Sequence, residues 1–169
     1  IYELEQQTRA VLAGEPAAPQ KFPHVIAFNV FSHNSAIADN GYNEEENKMR
    51  NETRKIFHDD TIMISATCVR VPVFRAHSEA LHIEFARPVT PDEVRDVLRV
   101  APGVALVEDT ARNRFPMPLE AADQGTILVG RIRRDTALEN GIAMFIAGDQ
   151  LLKGAALNTV QIAELLVRA

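Results

Sequence analysis

The residues best suited to chemistry lie in the run Ser65-Ala66-Thr67-Cys68-Val69-Arg70-Val71-Pro72-Val73-Phe74-Arg75-Ala76-His77-Ser78-Glu79. Strand alternation sets Arg70 on the same face as Ile64, Ala66 and Cys68. An arginine on a small or apolar face is costly unless it meets an anion, and its planar fork matches a carboxylate. Seven residues further on, beyond Pro72, His77 falls between two strands, where an imidazole can take or give a proton near neutral pH. The same pattern also fits a structural role, with Arg70 paired to an internal Asp or Glu and His77 capping a turn.

Glu45 and Lys48 are three apart on an expected helix and share a face, so they could hold an anion together or form a solvated surface pair. Cys68 is a poor nucleophile candidate. Nine residues from His77 along a strand is a poor geometry for a thiol–imidazole bond, and its neighbours Ala66, Val69 and Val71 suit a small core residue. The basic run Arg131-Ile132-Arg133-Arg134 alternates at strand spacing and reads as a solvated edge or a subunit contact. His24, His33, His58, His77 and His82 show no metal-ligand spacing.

The elements that must position these residues follow from capping and periodicity. Residues 2–13 form a helix with Leu4, Val11 and Leu12 near one face and Glu and Gln opposite, ended by Gly14 and a Pro-rich linker. Phe22 to Phe31 reads as a buried extended segment. Asn43 with Glu46 opens a helix running to about His58, and Thr61 to Phe74, rich in β-branched residues, reads as the best strand of the chain. A further strand spans about Glu79 to Ala86. Thr90-Pro91-Asp92-Glu93 starts a helix with a buried stripe of Val94, Val97, Leu98 and Ala101. Strands follow near 104–107, 126–133 and 142–148, the last two joined by the hairpin-length connection 135–141. A final helix runs from about Leu152 to Val167.

This order favours an α/β fold: a mixed, largely antiparallel sheet with helices on one face, the other free to pair with a second subunit. Residues 1–151 are expected to form one domain and 152–169 an appended helix. The composition is that of a globular protein, 46% apolar and 24% charged, and a net charge of −5 argues against a nucleic-acid partner. No apolar run is long enough to span a membrane. A single cysteine rules out an internal disulfide and suits a reducing cytoplasm. No Gly-x-Gly-x-x-Gly follows a strand, so a dinucleotide loop of the usual kind is absent. Ile1-Tyr2-Glu3-Leu4-Glu5 reads as the middle of a helix, so the chain is expected to continue upstream.

Four segments carry a resemblance over nearly the whole chain. They are Phe22–Asn29 (FPHVIAFN), Glu45–Thr53 (EENKMRNET), Ser65–Ser78 and Lys153–Asn158 (KGAALN). In this order they resemble bacterial aspartate-semialdehyde dehydrogenases. The run Ala-Thr-Cys-Val-Arg-Val-Pro-Val-Phe-x-x-His-Ser-Glu is the most specific of them. The resemblance implies the C-terminal, substrate-binding and dimerisation domain of such an enzyme, like that of the glyceraldehyde-3-phosphate dehydrogenase-like enzymes. That enzyme interconverts β-aspartyl phosphate and aspartate semialdehyde with NADP and phosphate, on the route to lysine, threonine and methionine.

The resemblance further implies that Arg70 binds the substrate α-carboxylate and that His77 is the acid/base. Glu45 and Lys48 would line the substrate and phosphate site, and Asn158 would approach the nicotinamide. Cys68 falls on a structural position. The catalytic thiolate and a substrate-orienting glutamine lie upstream of Ile1 in the family pattern, so this chain alone should not turn over. Its implied partners are a small-molecule substrate, phosphate, a second copy in a homodimer, and its own nucleotide-binding domain. The last helix would pack on that domain, and without it would expose an apolar face and shift or fray. Two rival readings remain: another acyl-phosphate reductase such as N-acetylglutamyl-phosphate reductase, whose pattern the Arg70-to-His77 motif fits poorly, and a non-catalytic dimerisation module.

Overall fold

The computed structural model describes residues 1–168 in two compact units, Ile1–Phe74 and the chain from Arg75 onward. Ala169, the last residue of the expected C-terminal helix, lies outside the described residues.

The first unit is organised by side chains more than by sheet. Helix α1 (Tyr2–Leu12) buries Glu3 and Gln7 beside Leu4, whereas Val11 and Leu12 are exposed, which reverses part of the expected face. The reason lies in the linker. Buried or half-buried backbone N–H groups require acceptors, and residues 20–27 have no strand to supply them. The Glu3 carboxylate accepts N–H bonds from Gln20 at 2.7 Å, Lys21 at 3.0 Å and Phe22 at 3.3 Å. The Gln7 amide oxygen accepts from Ile26 at 2.8 Å and Ala27 at 3.3 Å. The expected extended segment from Phe22 to Phe31 is therefore irregular. Ile26 and Ala27 are buried with Leu4, but Phe28, at φ 55°, and Val30 face solvent.

Helix α2 (Glu44–Phe57) begins as its sequence indicates: the Asn43 side chain accepts from the Glu46 N–H at 2.9 Å, and the Glu46 carboxylate accepts from the Asn43 N–H at 3.0 Å. The expected long strand from Thr61 to Phe74 pairs only at β2 (Val69–Arg70), antiparallel to the equally short β1 (Phe31–Ser32). From Thr61 to Arg70 exposed and half-buried residues still alternate, with Ile64, Ala66, Cys68 and Arg70 on the covered side. β-branched residues favour the extended form, but a ladder also needs a partner strand, and β1 provides one only two residues long.

The second unit is a four-stranded mixed sheet in the order β3-β6-β5-β4. The strands are β3 (His77–Glu84), β4 (Val104–Leu106), β5 (Ile127–Arg134) and β6 (Gly141–Gly148). Only β4 and β5 run parallel, so the sheet is mixed and largely antiparallel as expected. Helix α3 (Pro91–Val100) carries the Thr90/Glu93 capping box and packs Val94 and Leu98 against Val129, Ile132, Ile142 and Met144. Val97, expected in that stripe, is exposed. Helix α4 (Pro118–Ala121), too short to leave a periodic signal, is buried through Ala121 with Leu128 and Ala147 on the opposite face.

A bulge interrupts β5 between Gly130 and Arg133, with Arg131 at φ 55°. It is pinned from outside: Glu108 accepts the Ile132 N–H at 2.9 Å, and Arg95 donates to both Glu108 at 2.7 Å and the Ile132 carbonyl at 2.6 Å. The final helix opens with a π-helical turn at Leu152–Ala156 before α5 (Leu157–Arg168). Val160, Ile162, Leu165, Leu166 and Val167 of α5 are exposed. Among the described residues no helix is long and apolar enough to cross a membrane.

Candidate functional site

In the first unit, Arg70 occupies the second residue of β2, opposite Phe31. Its Nε donates to the Asn34 amide oxygen at 3.1 Å, and its guanidinium carbon lies 5.3 Å from the centroid of the Phe22 ring. Neither contact is an acid, so within this unit the structural alternative of an Arg70–carboxylate pair is not realised. Glu45 and Lys48 are brought together on the first turns of α2, Nζ to Oε1 at 3.3 Å, and both remain open to solvent. The Glu45 N–H also points to the Ser35 hydroxyl at 3.4 Å.

Glu46, beside them in sequence, is turned to structure. The Cys68 N–H, donated at 2.9 Å, holds its carboxyl below the usual range, and the Asn43 N–H adds to this. Through that bond the helix bearing Glu45 and Lys48 is tied to the segment that delivers Arg70. Sequence spacing gave no sign of it.

In the second unit His77 is the first residue of β3, paired with Gly148, and its side chain is exposed. It is thus a strand residue and not a loop residue between strands. The chain reaches it through Ala76, at φ 74°, whose N–H donates to the Gln150 amide oxygen at 2.8 Å. One residue earlier, Arg75 contacts Asp123 at 2.5 Å and Asp149 at 2.8 Å. Asp149 is wholly buried and accepts N–H bonds from Asp123 at 2.7 Å, Leu151 at 2.8 Å and Leu152 at 3.1 Å. Burial alone would raise its carboxyl, but those N–H groups and Arg75 outweigh it and leave it below the usual range.

Asn158 lies on the first turn of α5, where the ammonium of Lys153 donates to its amide oxygen at 3.1 Å and to that of Gln161 at 2.7 Å. An ammonium has no acceptor, so both amides must turn their oxygens toward it. That leaves the Asn158 amide N–H groups free to donate, which fits the carbonyl of a carboxamide such as nicotinamide's. Asn158 so oriented fits the carboxamide end of such a cofactor.

The family described as semialdehyde dehydrogenase, dimerisation domain, matches residues 1–153. The chain belongs to that family. Its relatives include an aspartate-semialdehyde dehydrogenase of Synechocystis, 53% identical over 98% of this chain and 49% of the relative, and one of Aquifex aeolicus, 48% identical over 99% and 50%. The crystal structure of aspartate semialdehyde dehydrogenase II from Vibrio cholerae, complexed with ASA, superposes with a TM-score of 0.93 at 44% identity, covering 98% of this chain and 49% of that one. The Candida albicans enzyme with NADP matches at a TM-score of 0.68 and 26% identity, over 84% and 45%. The chain spans about half the length of the curated relatives it matches. The family's fold, like that of the C-terminal domain of glyceraldehyde-3-phosphate dehydrogenase-like enzymes, is the mixed α/β arrangement seen here.

Proposed function

We propose that this chain is the substrate-binding and subunit-pairing half of an NADP-dependent aspartate-semialdehyde dehydrogenase, interconverting β-aspartyl phosphate and aspartate semialdehyde. The observation that carries the reading is Arg70: a guanidinium held only by neutral partners in its unit, seven residues before an exposed histidine. A cation so arranged is suited to a ligand carboxylate.

In this reading Arg70 binds the substrate α-carboxylate and fixes the reacting carbonyl. His77 takes the hydroxyl proton as the aldehyde, captured by a thiolate from outside this chain, is oxidised, and returns it in the reverse direction. When bound, NADP accepts the hydride. Asn158 donates to the carboxamide of its nicotinamide, and Lys153 holds Asn158 in the donating orientation. Lys48, in contact with Glu45 at 3.3 Å, places phosphate for attack on the acyl group. Cys68 takes no part. The final helix covers the nucleotide-binding part of the enzyme through the apolar face of α5. The exposed face of β3 bearing Ser78, Ala80, His82 and Glu84 belongs to the surface that pairs two copies. A reducing cytoplasm suits this chemistry.

The test is phosphate-dependent NADPH formation from aspartate semialdehyde, with this chain alone and with the full-length enzyme. The chain alone should be silent and the full enzyme active. A silent full enzyme would sink the catalytic reading in favour of a dimerisation module.

A further inference from the structure

Arg70 has five N–H donors in a fixed plane. Its Nε is already committed to Asn34, 36 residues away in sequence. Its guanidinium carbon lies over the Phe22 ring, at a distance where the ring's negative face attracts a cation. Phe22 is itself braced edge-on by Phe31, with centroids 6.0 Å apart at 68°, and Phe31 is the residue directly opposite Arg70 across the β1–β2 rungs. Ring and amide therefore hold the guanidinium, while the ladder fixes the backbone that carries it.

We propose that Asn34 and Phe22 are positioning residues that make Arg70 present its two terminal nitrogens, end-on, to the substrate carboxylate. This rests on the reading of Arg70 given above and adds how the residue is aimed. With Nε occupied, the free edge is the Nη1–Nη2 fork, which meets a carboxylate through two parallel bonds. Both anchors are neutral, so they direct the cation without cancelling its charge. An aspartate at position 34 could hold Nε equally well but would compete with the ligand. The arrangement selects a planar carboxylate over a lone aldehyde or hydroxyl, and makes the α-carboxylate the handle by which the substrate is oriented.

The test uses the full-length enzyme with Arg70→Met, Asn34→Ala, Phe22→Leu and Phe22→Tyr. KM and kcat for aspartate semialdehyde, kcat/KM for an aldehyde lacking the carboxylate, and the melting temperature are measured. Asn34→Ala and Phe22→Leu should each raise KM by about 3- to 30-fold with kcat close to the parent's, since each removes one modest charge-directed contact. Asn34→Ala should also keep the parent's melting temperature, whereas Phe22→Leu, which loses packing on Leu4, Ile26 and Ala27, should lower it somewhat. Phe22→Tyr should restore KM, and toward the aldehyde without a carboxylate all forms should converge. If Arg70→Met raises KM but the Asn34 and Phe22 variants do not, the positioning role is wrong while the reading of Arg70 stands. If those variants lower activity equally on both aldehydes, or Phe22→Tyr fails to restore KM, their role is structural and the proposal falls. If Arg70→Met itself leaves KM unchanged, the assignment of Arg70 falls and the positioning role with it.

Discussion

The Nε of Arg75 lies 2.8 Å from Oδ2 of Asp149, a carboxylate with no exposure to solvent. Nε is not aligned for a directed hydrogen bond, so the contact is an ion pair, and the directed bonds of Asp149 come from backbone N–H groups. The pair joins the entry to β3 to the start of the π-helical turn. Removing one partner leaves a buried charge or a buried acceptor without its complement. Arg75→Met and Asp149→Asn should each lower the urea midpoint, and the double variant should lose less than the sum of the two, as residues sharing one interaction do. Additive losses in that cycle would mean the two residues act independently.

Acid should expose a second buried carboxyl. Asp135 in the β5–β6 connection is held below its usual range first by the Ala137 N–H at 2.7 Å and next by His82, whose ring contacts its other oxygen. A carboxyl whose folded pKa is depressed adds stability above its unfolded pKa, near 4, and loses it as pH falls through the folded value. Glu3, Glu46 and Asp149 are shifted the same way. The melting temperature should therefore decline from about pH 5 downward, and Asp135→Asn should flatten that decline while lowering the plateau. An unchanged slope in the variant would remove Asp135 from the account.

The bulge in β5 predicts an intolerant glycine. A Cβ on Gly130 would lie 2.2 Å from the Val107 carbonyl oxygen and 2.7 Å from Pro116 Cδ, and neither a backbone carbonyl nor a proline ring can swing away. Gly130→Ala should cost about 2–4 kcal/mol by overpacking, read from denaturant unfolding. Gly14, with nothing within 4 Å of such a Cβ but a φ of 72°, is the control: Gly14→Ala meets only backbone strain, about 1–2 kcal/mol.

His77 offers the sharpest separation of chemistry from stability. Its side chain is exposed, so His77→Asn should leave the melting temperature almost unchanged. In the full enzyme the loss of a general acid/base should reduce kcat by roughly 10²- to 10⁴-fold. A parallel loss of stability and activity would point to a structural histidine.

What the sequence made legible was local. Asn43/Glu46 and Thr90/Glu93 are capping boxes whose partners stand three residues apart, and both form as read. Strand β3 announces itself by its own alternation, and β5 and β6 by short apolar runs on either side of a hairpin-length connection. The two misread extended segments share one cause, which is dependence on distant partners. Phe22 to Phe31 is shaped by Glu3 and Gln7, and Thr61 to Phe74 lacks a long strand to pair with. At the site, the Glu45–Lys48 contact was readable from spacing. The neutral setting of Arg70 was not, because nothing in the sequence links Asn34 or Phe22 to a residue so far along the chain.

The pairing of His77 with Gly148 at the first rung of β3 bears on how genes of this kind can vary. Successive strand residues point to opposite faces, so the position of the imidazole is counted in residues from Glu84, the last rung, opposite Gly141. Side chains at Ser78 or Ala80 can be exchanged for others without disturbing that count. Adding or deleting a single codon between Ala76 and Glu84 cannot, since it would carry the imidazole to the wrong side of the sheet. At those two positions descent with changed letters is open, and along the whole strand descent with changed length is closed.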